Sequence, residues 1–173
     1  MMPKAPHFVL FSESTAVSPP QVSVGAASDE STRHWHFVLR TEEGSVALDA
    51  EDEEADASDE RLALLAVVRG LEALPEPSRV TLVTTSGWIR RGLRFGLDSW
   101  RDHQWQWERF GQMTPVKNGD LWRRVSRAQG DDQDRFAGLG EVPNPAPARQ
   151  GNVVEVRTDE EVQRASVLEA IRK

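Results

Sequence analysis

Three stretches decide the fold of this chain: DERLALLAVVRGLEAL (59–74), RVTLVTTSGWIRRGL (79–93) and PVKNGDLWRR (115–124). In the first, Leu62, Leu65, Ala66, Val68 and Leu71 recur at helical spacing, so a helix runs to about Leu74. Ser58 stands ready as its N-cap, and Asp59 and Glu60 fall in the first turn, where acids complement the helix dipole. Pro75 and Pro77 end it. In the second stretch, Arg79 to Thr84 is β-branched and apolar, the pattern of a buried strand. A helix separates this strand from the earlier ones, which predicts a parallel crossover. Ser86 caps a following helix that reaches about Leu97. In the third stretch, Asn118 caps a helix from Gly119 to about Ala128, with Leu121, Trp122 and Val125 turned inward.

Working outward, His7 to Ser12 (HFVLFS) and His34 to Arg40 (HWHFVLR) are short strand patterns. Glu42-Glu43-Gly44 makes a turn into a third strand starting at Ser45 to Leu48, giving an antiparallel meander. The acidic run Asp49 to Glu60 is expected to be a solvated loop feeding the first helix. Val17 to Thr32 is a Ser, Pro, Gly and Ala loop from which Gln21–Val24 could extend a strand. Asp98-Ser99 starts a short helix, and Trp100 to Met113 is irregular and aromatic. A polar Gly/Pro loop covers 129–151, and 152–173 supplies a last strand (Asn152 to Val156) and a helix capped by Thr158, completing the domain begun by the 1–128 core. The order is β-β-β-α-β-α-α-α-β-α.

In these segments the chain resembles bacterial-type ribonuclease HI. The resemblance is carried by the 59–74 helix, by the strand with its Ser86-x-x-Ile89-Arg90-x-Gly92 continuation, and by Pro115-Val116-Lys117-Asn118 leading to Asp120, Leu121 and Trp122. It covers roughly residues 7–128, with Trp100 and Trp105 at the tryptophans that flank the family's basic protrusion. It implies an α/β ribonuclease H-like fold: a mixed five-stranded sheet, three antiparallel strands then parallel additions, flanked by helices.

The resemblance also implies hydrolysis of the RNA strand of RNA–DNA hybrids by two divalent metals held by four carboxylates. Hard cations need charged oxygen ligands. Ser12, Ala63 and Thr85 stand at three of those positions, with Glu13 one residue off the first and Glu60 one turn before the second. The last segment, TDEEVQRASVLEAIRK, lacks the family's Asn-Glu-x-x-Asp pattern. The family's minor-groove Asn pair is replaced by Asp59 and Glu60, and its protrusion is diluted to Trp100-Arg101-Asp102-His103. Ser86, Lys117 and Asn118 match family positions near the substrate backbone, and Arg90 and Trp100 are further candidate nucleic-acid contacts.

The net charge of −7 is uneven. Residues 42–60 carry ten acids and no base, whereas 86–127 carries nine bases against four acids, a net +5. That basic region fits a polyanion. The absence of cysteine excludes disulfides and thiolate sites. The apolar run in MMPKAPHFVLF is too short for a signal peptide, and Leu62 to Val68 too short for a membrane span, so a cytoplasmic protein without membrane contact is expected. His34 and His36 alternate on a strand and are expected on a solvated face. The leading expectation is a catalytically silent ribonuclease H-like domain, a pseudoenzyme without cofactor, binding nucleic acid or a nucleic-acid-associated protein. The alternatives are an active hybrid endoribonuclease with a relocated Mg²⁺ site using Glu13, Glu60 and tail acids, and a protein-interaction module using the acidic run or the 130–150 loop.

Overall fold

The computed structural model describes residues 5–16, 33–130 and 151–171. The loop expectations for 17–32 and 131–150 lie outside the described residues. Strands β1 (His7–Ala16), β2 (Arg33–Thr41) and β3 (Val46–Glu54) form an antiparallel meander. Helix α1 (Asp59–Glu72) then crosses over to β4 (Arg79–Thr84), which lies parallel to β1. A helical stretch comes next, made of α2 (Gly87–Arg91), a π-helical turn (Gly92–Gly96) and α3 (Leu97–Asp102). The hairpin β5 (Gln106–Arg109) and β6 (Gln112–Pro115), helix α4 (Gly119–Ala128), strand β7 (Val153–Arg157) and helix α5 (Asp159–Ile171) complete the order. The main sheet runs β3-β2-β1-β4-β7, mixed and five-stranded as expected.

Alternation on β2 buries Trp35, Phe37 and Leu39, and the register sets Leu10 of β1 against Leu39 and against Leu82 of β4. Helix α1 lies across β1 and β2 and packs on α4, so the core fills the space between one sheet face and these helices. Ser58 caps α1 by accepting from the Arg61 N–H (3.2 Å), and Ser86 caps α2 by accepting from the Ile89 N–H (3.3 Å). Thr158 and Glu161 form a reciprocal capping box on α5, whose backbone hydrogen bond holds the Glu161 carboxyl below its usual range.

Trp122, fully buried, joins the two halves of the helical layer. Its ring meets Trp88 edge-on at 5.5 Å and Trp100 at 5.2 Å. Gly92 and Gly96 make room for it and for Trp100: a Cβ on Gly92 would lie 2.5 Å from Trp122 Cζ2, and one on Gly96 would lie 2.6 Å from Trp100. Asn152 ties the last strand in, accepting from the Ser78 N–H (2.8 Å) and donating to the Ala128 carbonyl (2.9 Å).

Four expectations need correction. The acids Asp49 to Glu54 are not loop: they continue β3, because Arg33, His34 and His36 on β2 stand opposite Glu54, Glu53 and Glu51. Trp100 to Met113 is not irregular throughout, since α3 and the hairpin organise it. The helix expected from Ser86 to Leu97 widens into a π turn where the glycines admit the tryptophans. Asn118 does not cap α4 with its side chain. It sits in the left-handed region (φ 55°) and its carbonyl accepts from the Leu121 and Trp122 N–H groups instead.

Candidate nucleic-acid interface

The residues matched to the family's carboxylate positions end in different surroundings. Ser12 is buried, pairs in register with Thr84 of β4, and its hydroxyl has no hydrogen-bond partner. Ala63 is half-buried on α1 against the core. Thr85 is exposed just past the end of β4. The exposed carboxylate at the same end of β1 is Glu13, one residue beyond Ser12 and paired in register with His36. Among the described residues, no group of three or more His, Asp or Glu side chains could hold a metal ion. At these three positions the residues do not fit a two-metal centre, because two hydroxyls and a methyl bring no charge to offset that of the cations.

The candidate backbone contacts fall into two sets. Lys117, Asn118 and Asp120 gather over the N-terminus of α1. The Lys117 ammonium pairs with Glu60. Arg61 forks onto Asp120 through Nη1 (3.0 Å) and Nη2 (2.7 Å) and also donates to Asn118 Oδ1 (3.3 Å). That fork holds the Asp120 carboxyl below its usual range and raises Arg61. Arg124 makes a second fork onto Glu72 (2.7 and 2.6 Å), so α4 is fastened to α1 at two points. Pairing with Glu60 neutralises part of the charge that Lys117 was expected to offer a phosphate.

The second set lies on α2 and the π turn and α3 beyond it. Ser86 accepts from Ile89, and Arg90 is half-buried with an unpartnered Nε. Arg91 is exposed, and Arg94 donates to the Val156 carbonyl (2.9 Å). The Trp100 ring lies against Trp122 at 5.2 Å and against the groove at Gly96. Trp105 is buried beneath the Arg123 guanidinium, 5.7 Å from its ring. His34 and His36 do share a face, each beside an acid of β3: Glu53 at 3.6 Å and Asp49 at 2.7 Å. Phe110 was not among the expected contacts. Its only local signal is the Gly111 beside it, a turn residue between two short β-prone runs.

No family model matches the chain. Curated relatives do. A ribonuclease H of Jannaschia sp. (strain CCS1) is 34% identical over 98 residues, which is 55% of this chain and 60% of the relative. One of Paracoccus denitrificans (strain Pd 1222) is 32% identical over 105 residues, 59% of this chain and 66% of the relative. Over these spans the chain is similar to ribonucleases H. It spans about two thirds or less of the length of these ribonuclease H relatives. Among solved structures, LC9-RNase H1, a type 1 RNase H with the type 2 active-site motif, superposes with a TM-score of 0.59 at 16% identity, covering 91% of this chain and 64% of that one. A foamy viral protease-reverse transcriptase in complex with RNA/DNA hybrid gives 0.61 at 16% identity, covering 97% of this chain and 20% of that one. These likenesses establish the ribonuclease H-like fold.

Proposed function

We propose that this ribonuclease H-like domain binds nucleic acid without cleaving it by two-metal hydrolysis. The observation that carries the reading is the chemistry at the carboxylate positions: Ala63 and Thr85 are uncharged, and the only acid at the matching end of β1 is Glu13. Removing one oxyanion-stabilising donor from an active site costs about 2.7–4 kcal/mol of transition-state stabilisation, and on that scale the loss of several charged metal ligands leaves no useful rate. A relocated site is not favoured, because Glu60 is engaged by Lys117. Binding is supported by the net +5 of residues 86–127 and by the exposed Arg91 on α2. It is also supported by the fold shared with a reverse transcriptase seen on an RNA/DNA hybrid.

The test is a labelled RNA–DNA hybrid incubated with the purified protein and Mg²⁺ or Mn²⁺, alongside a binding titration at several salt concentrations. Intact hybrid, with an affinity that falls as salt rises, is the expected result. Cleavage with either metal would overturn the silent reading. Absence of binding to hybrid, duplex and single strand at low salt would overturn the nucleic-acid reading.

A further inference from the structure

The β5–β6 hairpin carries side chains that the core does not explain. Every residue from Gln106 to Met113 is exposed, and no third described strand pairs with it. Its root is fixed: Trp105 and Val116 are buried and joined by a Val116 N–H to Trp105 carbonyl bond of 3.0 Å. Its tip stands free and carries Phe110, 94% exposed, with Trp107 (46%) and Met113 (53%) below.

The turn is built at a local cost. Phe110 and Gly111 both have positive φ (51° and 78°), as a two-residue type I′ turn requires, and the first of these positions favours Asn, Asp or Gly over an aromatic residue. Phenylalanine there serves neither the turn nor the core.

The strand register sorts the rest. Trp107 pairs with Thr114 and Arg109 with Gln112, so these four share one face, while Glu108 and Met113 occupy the other. The two large apolar side chains of the strands are therefore on opposite faces, and neither face holds a continuous apolar patch. The Trp107 face instead alternates a ring with a cation and two hydrogen-bonding groups. The acid is turned away from it. At the tip the Arg109 guanidinium lies 5.7 Å from the Phe110 ring centre, setting a cation and a π-face side by side.

We infer that this hairpin is a stacking arm for a single-stranded segment of nucleic acid. Unpaired bases lie on the Phe110 and Trp107 rings and Arg109 meets the adjoining phosphate. Isolated rings beside cations suit bases regardless of sequence. The net +5 of residues 86–127, in which the hairpin sits, draws the backbone in. This rests on the nucleic-acid reading above and adds the strand form and the contacting residues.

The experiment compares the wild type with Phe110→Asn and Trp107→Thr. Asn-Gly is the pair a type I′ turn favours and Thr is a good strand residue, so both variants should keep the hairpin and the thermal midpoint. Binding of a fluorescent oligo-dT and of a blunt duplex is followed by anisotropy at low salt, with self-association followed by sedimentation. Each variant is expected to bind oligo-dT at least about fivefold more weakly, with duplex affinity changed less than twofold. Variants that bind oligo-dT like the wild type overturn the stacking arm and leave the wider reading standing. Equal losses on oligo-dT and duplex overturn the preference for single strands. A wild type that binds neither probe overturns the stacking arm, one that also fails to bind the hybrid overturns both readings, and self-association abolished by the variants would assign the hairpin to a protein contact instead.

Discussion

Gly92→Ala puts the packing of the helical layer to a quantitative test. An added Cβ would lie 2.5 Å from Trp122 Cζ2, more than 1 Å inside ordinary carbon–carbon contact. The ring cannot swing away, because Trp122 is fully buried with Trp88 at 5.5 Å and Trp100 at 5.2 Å. Overpacking of this kind costs about 1–3 kcal/mol. Against it stands the gain of replacing glycine by alanine in a helix, about 1 kcal/mol. Gly119→Ala, at the first residue of α4, is the reference without overpacking, since there the nearest atom is Val116 Cβ at an ordinary 3.9 Å. Urea unfolding followed by circular dichroism should therefore place Gly92→Ala below Gly119→Ala by about 1–3 kcal/mol, the overpacking cost itself. In thermal melts each kcal/mol corresponds to roughly 2–4 °C for a chain of this size. The near-ultraviolet signal of the tryptophans should change in the first variant and not the second. Equal stability of the two variants would refute the notch.

Glu60→Gln should leave stability within about 1 kcal/mol, because its pair with Lys117 is exposed. It should also strengthen hybrid binding and steepen the logarithmic salt dependence by about one unit, as Lys117 is released to a phosphate; an unchanged slope in the salt titration would remove Lys117 from the interface. Asp120→Asn breaks the fork from Arg61. The folded carboxyl is held low, so its contribution is complete above the ordinary carboxylate range, near pH 4, and fades as pH falls through the lowered value. With both partners partly exposed the loss at pH 7 is at most about 1 kcal/mol, and denaturant midpoints of variant and wild type should converge as pH falls below the ordinary carboxylate range.

The order of elements was legible because each main segment carried its own period or cap: the apolar spacing from Leu62 to Leu71, the β-branched run of β4, and Ser58 and Ser86 at helix starts. What escaped depended on partners distant in sequence. Asp and Glu are poor strand formers, and Asp49 to Glu54 extend β3 only because β2 sets Arg33, His34 and His36 opposite. Asn tolerates the left-handed backbone seen at Asn118, but nothing local says that its amide will accept from Arg61, 57 residues away. At the candidate site, the substitutions Ala63 and Thr85 were visible by position. The burial of Ser12 was not, nor the engagement of Lys117 by a carboxylate 57 residues away, because both arise from register and helix docking. Trp100 and Phe110 differ in the same way: nothing local says which aromatic meets another ring and which meets water.

The acidic edge strand β3 bears on how copies of this chain treat one another. It is the outermost strand of the sheet, and along Val46–Glu54 it exposes the acids Asp49, Glu51, Asp52, Glu53 and Glu54. A second copy adding its own β3 would bring five negative charges against five, so at neutral pH the open backbone of this edge repels its own kind. Tolerance of crowding is thus lodged in one strand.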